Sequence, residues 1–440
     1  MSNTTNESIR LSVRLRLSAM MFLQYFTLSA WIIPLSTYLL APPERGGLWL
    51  AASQVVLIYG TTALGAILSP LFVGVLADRF FNAERVLAGL HLLGALVLGG
   101  LVALMSMRHG QLRRTVEVLQ ESTDLSATQV RQLPEVLALT ESIGQEVFWL
   151  VLAYATLTMP AGTLTNVICF RNLSDPGRQF GPIRVFGSIG WIAAGLTVGF
   201  GLNAISPEPL LLAAGAAVLL AGLCLILPPV PPLSKRLTVA DLFGLSALGL
   251  MLQRRFAVFF LALLLSTMCQ AFYNVFGNPF LHDLGTTAPT AVQTLAQSAE
   301  IVLMTALPLG LRWLGYKGMM LVGLAGWAIR YWAFASLSLP LILYVGLPMH
   351  GVSFSCFVVV ASLFLDREAP PHLRASAQGL VTFLTMGVGL FAGNWLAGQV
   401  VERFTVDGVR DWPSIWLVPM VAALLTTAMF AVGLKEKSDA

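Results

Sequence analysis

Three polar side chains interrupt one apolar stretch of the sequence, and their spacing places them on one face of a helix. The segment AQSAEIVLM, residues 296–304, lies inside the apolar run 288–311. Gln297 precedes Glu300 by three residues and follows Gln293 by four, so the three side chains are neighbours on a helix. Two amides beside a carboxylate provide hydrogen-bond donors, acceptors and a group that exchanges a proton. The segment therefore predicts contact with a polar solute and, at Glu300, with a proton.

A second polar face precedes this segment. Gln270, Asn274 and Asn278 are four residues apart, so they also share one face of a helix. Two interpretations of the amides stay open: they line a cavity that binds a neutral solute, or they form hydrogen bonds between neighbouring helices. We favour the cavity, because several amides share each face and a carboxylate joins one of them.

The composition indicates that lipid is the solvent around most of the chain. Of 440 residues, 56% are hydrophobic and 11% are charged, whereas a soluble domain carries about 25% charged residues. The net charge of +4 is typical of a membrane protein with basic cytoplasmic loops, and we expect no binding of nucleic acid. The four cysteines are widely spaced in apolar stretches, so we predict no metal site, and no motif indicates a cofactor.

Twelve apolar segments are long enough to cross a bilayer as helices. A crossing needs about 20 residues, and an open strand would leave its backbone polar groups unpaired in lipid. We number these segments spans 1 to 12, and the sequence thus predicts an all-α integral membrane protein. The spans cover residues 17–40, 50–76, 85–107, 147–169, 183–204, 208–229, 255–280, 288–311, 316–337, 340–365, 373–400 and 412–434.

Basic residues predict the orientation of the chain and a polar segment predicts its division. Seventeen Lys and Arg residues fall on the side of the N-terminus and seven on the opposite side, so we expect both termini to be cytoplasmic. Residues 230–254 separate spans 6 and 7 and are predicted to form a cytoplasmic linker. The chain then consists of two six-helix halves, residues 1–229 and 255–440.

A second polar segment, residues 108–146, separates spans 3 and 4 on the extracellular side. Ser126 and Gln129 have the spacing of a helix capping box, so we predict a short helical hairpin here. Its simplest role is a solvated cap, and the alternative is the binding of a partner.

Ionisable side chains are costly inside a bilayer, so each one within a span is a candidate functional residue. Arg184 in span 5, Glu300 in span 8 and Arg330 in span 9 are charged residues of this kind. For Arg184 the alternative is a place at the cytoplasmic interface, and for Arg330 it is snorkelling to the interface or an internal pair. The sequence contains no Walker A, HExxH or GxSxG motif, so we predict that the protein is not an enzyme and that any energy comes from a gradient.

The loop between spans 2 and 3 resembles a motif of the major facilitator superfamily. It reads GVLADRFF, and Gly74, Asp78 and Arg79 match the Gly, Asp and Arg positions of that motif. The resemblance implies a structural and gating role for these three residues. The basic cluster that ends the family's motif is missing here apart from Arg85.

A closer resemblance covers nearly the whole chain. The sequence is similar to the nucleoside:proton symporter family of bacterial permeases in several segments that follow in the same order. These segments are FLQYFTLSAW (22–31), MPAGTLTNVICFRNL (159–173), FGPIRVFGSIGW (180–191), NVFGNPFLH (274–282), QSAE (297–300), WAIRYWAFA (327–335) and LRASAQG (373–379). The resemblance implies the major facilitator fold, with twelve helices in two bundles and alternating access, and the import of a nucleoside with a proton.

The same resemblance implies which side chains face the substrate. Burial raises the pKa of a carboxyl group and a nearby cation lowers it, so our own candidates for proton coupling are Glu300 and Arg184. The implied substrate-facing residues are Arg184, Ser188 and Trp191 from span 5, Gln270 and Asn274 from span 7, Gln297 and Glu300 from span 8, and His350 and Phe354 from span 10.

The chain departs from the family at three places around this set. The family's glutamine of span 7 falls at Ala271, with Gln270 one residue earlier. The family's tyrosine of span 10 falls at His350, and its aspartate after the phenylalanine falls at Ser355. That aspartate bears on proton coupling in the family, so its absence makes Glu300 the first residue to test for coupling.

From these observations we expect a monomeric secondary transporter in a bacterial inner membrane, which binds a nucleoside and protons and is surrounded by lipid. Two alternatives stay open. The first is a facilitator or symporter of another polar solute, such as a sugar or a muropeptide fragment. The second is a membrane receptor that uses the 108–146 hairpin.

Overall fold

Helices form most of the described part of the chain, and ten of these helices are long and apolar enough to cross a membrane. The segment Pro289–Ala335 has 47 residues and turns at Gly315, where φ is 64°, so it contains both span 8 and span 9. The apolar helix Glu208–Cys224 forms span 6 and brings the crossings to the twelve that the sequence predicts. The computed structural model describes residues 11–79, 81–123, 125–202, 205–231 and 244–434.

The boundaries of the spans follow the predicted ones, with two long extensions in spans 3 and 4. A two-stranded antiparallel hairpin, β1 (Thr405–Val406) and β2 (Val409–Arg410), connects spans 11 and 12 through an Asp-Gly turn. The helical segments are, in chain order, Leu11–Leu40, Ala52–Arg79, Ala83–Thr123, Pro134–Asn172, Pro176–Gly201, Glu208–Cys224, Arg254–Asp283, Pro289–Ala335, Leu339–Glu368, Ser376–Arg403 and Trp412–Gly433.

Several spans are irregular where the chain has proline or a wider helical turn. Span 1 breaks at Pro34 and span 4 breaks at Pro160, because proline lacks the amide hydrogen and its ring obstructs the preceding turn. Spans 10 and 11 contain π-helical turns at Phe354–Val359 and Phe383–Gly389. Such turns are rare and are often found at functional sites.

The two six-helix bundles share a hydrophobic core at one side of the membrane and have separate cores at the other. The shared core includes Trp31 of the first bundle and Phe276 of the second. At the side where the chain termini lie, each bundle has a core of its own, which includes Met20 in the first bundle and Phe357 in the second. We call the first side the hairpin face, because residues 108–146 lie there, and the second the terminus face. Among the described residues, the bundles are joined at the hairpin face and have separate cores toward the terminus face.

Glycine allows the bundles to approach closely where span 5 crosses span 8. A Cβ atom at Gly199 would lie 2.5 Å from the backbone nitrogen of Ala291, and one at Gly195 would lie 2.5 Å from Cγ2 of Thr294. Real Cβ atoms do not come this close to a neighbouring backbone. The closed hairpin face therefore depends on the absence of side chains at these two positions.

The 108–146 hairpin consists mainly of continuations of the helices of spans 3 and 4. The helix of span 3 continues to Thr123, the helix of span 4 begins at Pro134, and the short helix Ala127–Arg131 lies between them. The predicted capping box is confirmed, because the Ser126 side chain accepts from the Gln129 amide and the Gln129 side chain accepts from the Ser126 amide.

The apolar side of the hairpin is covered by the rest of the protein. Leu112, Val116, Val130 and Val136 are at most 1% exposed and belong to the shared core. Nε2 of His109 is 3.1 Å from the carbonyl oxygen of Pro43 in the loop after span 1, which ties the hairpin to that loop. These contacts are those expected of a cap, and the binding of a partner stays a prediction.

A valine at Gly199 should open the hairpin face. Overpacking of this kind costs about 1–3 kcal/mol, which shifts a two-state population by roughly 5- to 150-fold. Spin labels on Cys at positions 44 and 407, which are exposed on opposite bundles, should show a longer distance component in Gly199→Val. The four native cysteines are buried and leave these positions as the reactive ones.

Gly215→Val is the matched control for this experiment, because a Cβ at Gly215 of span 6 meets nothing within 4 Å. It should leave the distance distribution unchanged. An unchanged distribution in Gly199→Val as well would show that this contact does not hold the hairpin face closed.

Candidate functional site

Span 5 presents three of the predicted site residues on one face. Arg184, Ser188 and Trp191 are four and three residues apart, and all three side chains are partly exposed. The guanidinium carbon of Arg184 lies 4.2 Å from the centre of the Tyr25 ring in span 1, a cation–π contact that holds the charge in place. Gly187 packs against the same tyrosine, so span 1 sets the position of this face.

Span 8 contributes Glu300, whose side chain is buried but unpaired. Glu300 is 9% exposed, and in the described part of the chain its carboxylate has no hydrogen-bond or ion-pair partner. Gly351 of span 10 packs so closely that a Cβ there would overlap the Glu300 backbone nitrogen. Arg184 of the other bundle lies within electrostatic reach, beyond the 4 Å of an ion pair. The carboxylate is therefore free to accept a proton or a substrate hydroxyl.

The amides of spans 7 and 8 divide between the two interpretations that the sequence left open. Asn274 is exposed, and Gln270 and Gln297 are half-buried, as residues of a cavity wall would be. Asn278 and Gln293 are buried and joined by a hydrogen bond of 2.7 Å from Nδ2 to Oε1. The first three are therefore available to a solute, and the other two connect helices.

One hydrogen bond of Asn278 also joins the two bundles. Thr37 of span 1 donates to Oδ1 of Asn278 at 2.6 Å, and Nδ2 of Asn278 donates to Thr290 at 3.0 Å. Asn274 lies one turn from Asn278 on the same helix face. At Asn278 this face of span 7 meets both span 1 and span 8, whereas Asn274 on the same face is exposed.

A polar chain continues from this junction to span 10. Tyr273 interacts through its side chain with both Gln293 and Arg330. Nη1 of Arg330 is 2.9 Å from Nδ1 of His350, and the His350 ring stacks with Phe354 at 6.3 Å between centroids. The internal pair that the sequence left open for Arg330 is therefore present.

Sequence reasoning missed Tyr273, and it left Arg330 without a named partner. The lone arginine in WAIRYWAFA was the available signal, because a charge in an apolar run needs a partner. Ser355, at the family's aspartate position, is fully buried, and its Oγ has no hydrogen-bond partner among the described residues.

A cavity opens at the hairpin face, outside the junction of the bundles. It has a volume of about 790 Å³ and is lined by both bundles, including Thr37, Arg131 and Arg410. Arg410 pairs with Asp283 at 2.8 Å. Burial, and then the charge of Arg410, lower the pKa of Arg131, which donates to the carbonyl oxygen of Trp49 at 3.4 Å. We call this cavity the vestibule, and the hydrogen bond between Thr37 and Asn278 lies at its inner end.

For the predicted gating motif, Gly74, Asp78 and Arg79, the structure describes the backbone but not the side chains. The helix of span 2 extends through this motif to Arg79. Its gating role therefore stays a prediction.

The fold and the site together define the class of protein. Twelve spanning helices in two bundles, joined at one face around polar residues at their interface, are the architecture of a major facilitator superfamily transporter. Within this class the family model described as "Nucleoside H+ symporter" matches residues 11–107 and 136–439, and the chain belongs to this family. The protein is thus a transporter and not an enzyme. Residues 108–135, most of the hairpin, fall outside the match.

Individual relatives and solved structures agree with this assignment. The chain is 34% identical to the putative nucleoside transporter YegT of Escherichia coli (strain K12), over 96% of this chain and 94% of that protein. It is 32% identical to the xanthosine permease of the same organism, over 98% and 97%. The crystal structure of the nucleoside transporter NupG has a TM-score of 0.79 and 25% identity, covering 97% of this chain and 100% of that chain.

Removal of the Thr37 hydroxyl should weaken the junction at the inner end of the vestibule. Thr37→Val leaves Oδ1 of Asn278 buried without a donor, which costs about 1–3 kcal/mol. The spin labels at positions 44 and 407 should then report a larger open population. Thr426→Val is the matched control, because Thr426 is equally buried and its hydroxyl bonds only within its own helix. Identical distributions for both variants would contradict a role for this bond in closure.

Proposed function

We propose that the chain imports nucleosides together with protons across a bacterial inner membrane. Both termini and the 230–254 linker then lie in the cytoplasm, and the 108–146 hairpin lies outside. The excess of basic residues on the terminus face supports this orientation. The conformation described above is then closed to the outside and faces inward. We further propose that residues 1–229 and 255–440 are the two moving halves and that one chain is sufficient, since both halves contribute to the site.

The observation that carries the proposal is a buried carboxylate without a described partner, within electrostatic reach of a cation on the other bundle. Glu300 is 9% exposed without a described partner, and Arg184 acts on it from span 5. Such an acid within a span is costly and marks a functional site. Its proton affinity depends on how near Arg184 comes, so movement of the bundles and proton binding are linked.

The substrate site is proposed to lie between the bundles around this pair. Amides supply both donors and acceptors for ribose and base, and an aromatic ring supplies a face for stacking. The proposed set is Arg184, Ser188, Trp191, Gln270, Asn274, Gln297, Glu300, His350 and Phe354.

The proposed cycle follows from the charge on Glu300. Facing outward, Glu300 takes a proton and the nucleoside binds, and the bundles then rock to the inward-facing arrangement. After release into the cytoplasm, the charged carboxylate is attracted to Arg184, which draws spans 5 and 8 together and closes the terminus face for the return. One proton moving through about 100 mV releases roughly 2.3 kcal/mol, enough for about fifty-fold accumulation.

Glu300→Gln should abolish proton-driven accumulation while nucleoside exchange continues, because the amide mimics the protonated acid but cannot release a proton. The measurement is uptake of radiolabelled uridine into proteoliposomes with an inward proton gradient, compared with counterflow in its absence. Glu117→Gln, on the exposed side of the hairpin, is the matched control and should accumulate normally. Wild-type accumulation by Glu300→Gln would remove this residue from the coupling step.

Nucleosides should raise the melting temperature of the purified protein, and sugars and muropeptide fragments should not. Binding stabilises the folded state by RT ln(1 + [L]/Kd), so a ligand at 100 times its Kd adds about 2.7 kcal/mol. A thermal-shift panel of uridine, inosine, a hexose and a muropeptide fragment separates the two solute classes. A shift with the hexose or the muropeptide alone would support the other solute class instead.

A further inference from the structure

Arg330 is a fully buried cation that has no carboxylate partner among the described residues. Its exposure is 0%, and its charge lies against four aromatic rings. The guanidinium carbon is 3.4 Å from the ring centre of Tyr273, 5.4 Å from those of Trp327 and Phe334, and 6.0 Å from that of Tyr331. Cation–π contacts of this kind replace the missing anion. Burial of a charge inside the protein costs free energy, so Arg330 is a candidate functional residue. Its hydrogen-bond partner indicates its role.

That partner is His350, and the contact permits only one neutral tautomer of its imidazole ring. Nη1 of Arg330 lies 2.9 Å from Nδ1 of His350. A guanidinium group has only donors, so Nδ1 must be the acceptor. A neutral imidazole with its acceptor at Nδ1 carries its hydrogen at Nε2. Arg330 therefore makes Nε2 of His350 a donor.

The rest of the His350 ring borders the proposed substrate site. Its ring is stacked with Phe354 at 6.3 Å and an interplanar angle of 25°, and Tyr273 and Trp327 enclose its other sides at 5.8 and 5.9 Å. The residue after it, Gly351, contacts the backbone of Glu300. The His350 residue is 7% exposed. Several enclosed polar atoms of the described residues lack a hydrogen-bond partner, and Nε2 of His350 is not one of them. We infer that the edge of a base bound beside Phe354 meets this donor.

Because Nε2 can donate a hydrogen bond but cannot accept one, it distinguishes bases by the functional group that faces it. An oxo group accepts a hydrogen bond from Nε2, whereas an amino group in the same place directs its own hydrogens at it. Uridine and cytidine differ in this way at C4, and inosine and adenosine differ at C6. The tyrosine that the family has at this position can rotate its hydroxyl to donate or accept, so it makes no such distinction.

We propose that Arg330 is a positioning residue that fixes His350 as a hydrogen-bond donor, and that this pair makes the site selective for nucleosides with an oxo group on the base. The inference rests on the proposed nucleoside transport. The unmatched donor left by an amino base should weaken binding by about tenfold.

The test measures the affinities of uridine, cytidine, inosine and adenosine for the purified protein by isothermal titration calorimetry. The wild type should bind the oxo member of at least one pair about tenfold more tightly. His350→Phe keeps an aromatic ring but removes the donor, so the ratio should fall to about one while uridine still binds. His109→Phe, in the hairpin, is the matched control and should keep the wild-type ratio.

Two substitutions of Arg330 separate positioning from general stability. Arg330→Lys retains a cation with donors only and should retain the preference. Arg330→Met allows His350 to carry its proton on either nitrogen, so the preference should shrink. If Arg330→Met does not fold, His350→Phe decides alone. Equal wild-type affinities within both pairs, or an unchanged ratio in His350→Phe, would overturn the inference. Absence of binding by all four nucleosides would instead overturn the proposed function.

Discussion

The hydrogen bond between Thr37 and Asn278 is the constraint on which the described conformation depends. It joins span 1 of the first bundle to span 7 of the second, at 2.6 Å between Oγ1 and Oδ1. Outside it lies the vestibule, and inside it lie the exposed and half-buried polar side chains between the bundles. Buried polar groups that lose a partner are costly, so this contact favours two states, joined or fully separated, over intermediate ones. From the same asparagine, a chain of polar interactions runs through Gln293, Tyr273 and Arg330 to His350.

One turn of helix separates two different uses of the same residue type. Asn274 and Asn278 share a face of span 7, yet the first is exposed and the second is buried with three hydrogen bonds. The difference comes from the bundles, which meet around Asn278 and diverge beyond it. An amide at the meeting point must bond to protein, whereas an amide beyond it keeps donors and acceptors for a solute. A single periodic stripe thus supplies both a bond between the bundles and an exposed amide.

The sequence was sufficient for features that depend on local spacing. Apolar length predicted the twelve spans, the Ser126–Gln129 spacing predicted the cap, and the three-residue spacing predicted Gln297 beside Glu300. It could not predict the contacts of Arg330, because Tyr273 and His350 come from different spans and meet only after packing. The sequence also could not show which amides are available to a solute and which bond to neighbouring helices, since both roles require the same residues at the same spacing.

The hairpin has a mechanical consequence that follows from its continuity with spans 3 and 4. The helix Ala83–Thr123 runs without a break from the membrane into the hairpin, so its outer part is a rigid lever attached to the first bundle. The roughly 16 residues beyond the predicted span are about 24 Å long at 1.5 Å per residue. A bundle rotation of about 15° would then sweep the tip by roughly 6 Å. Because Arg131 near that tip borders the vestibule, a rotation of this kind would also change the width of that cavity at the hairpin face.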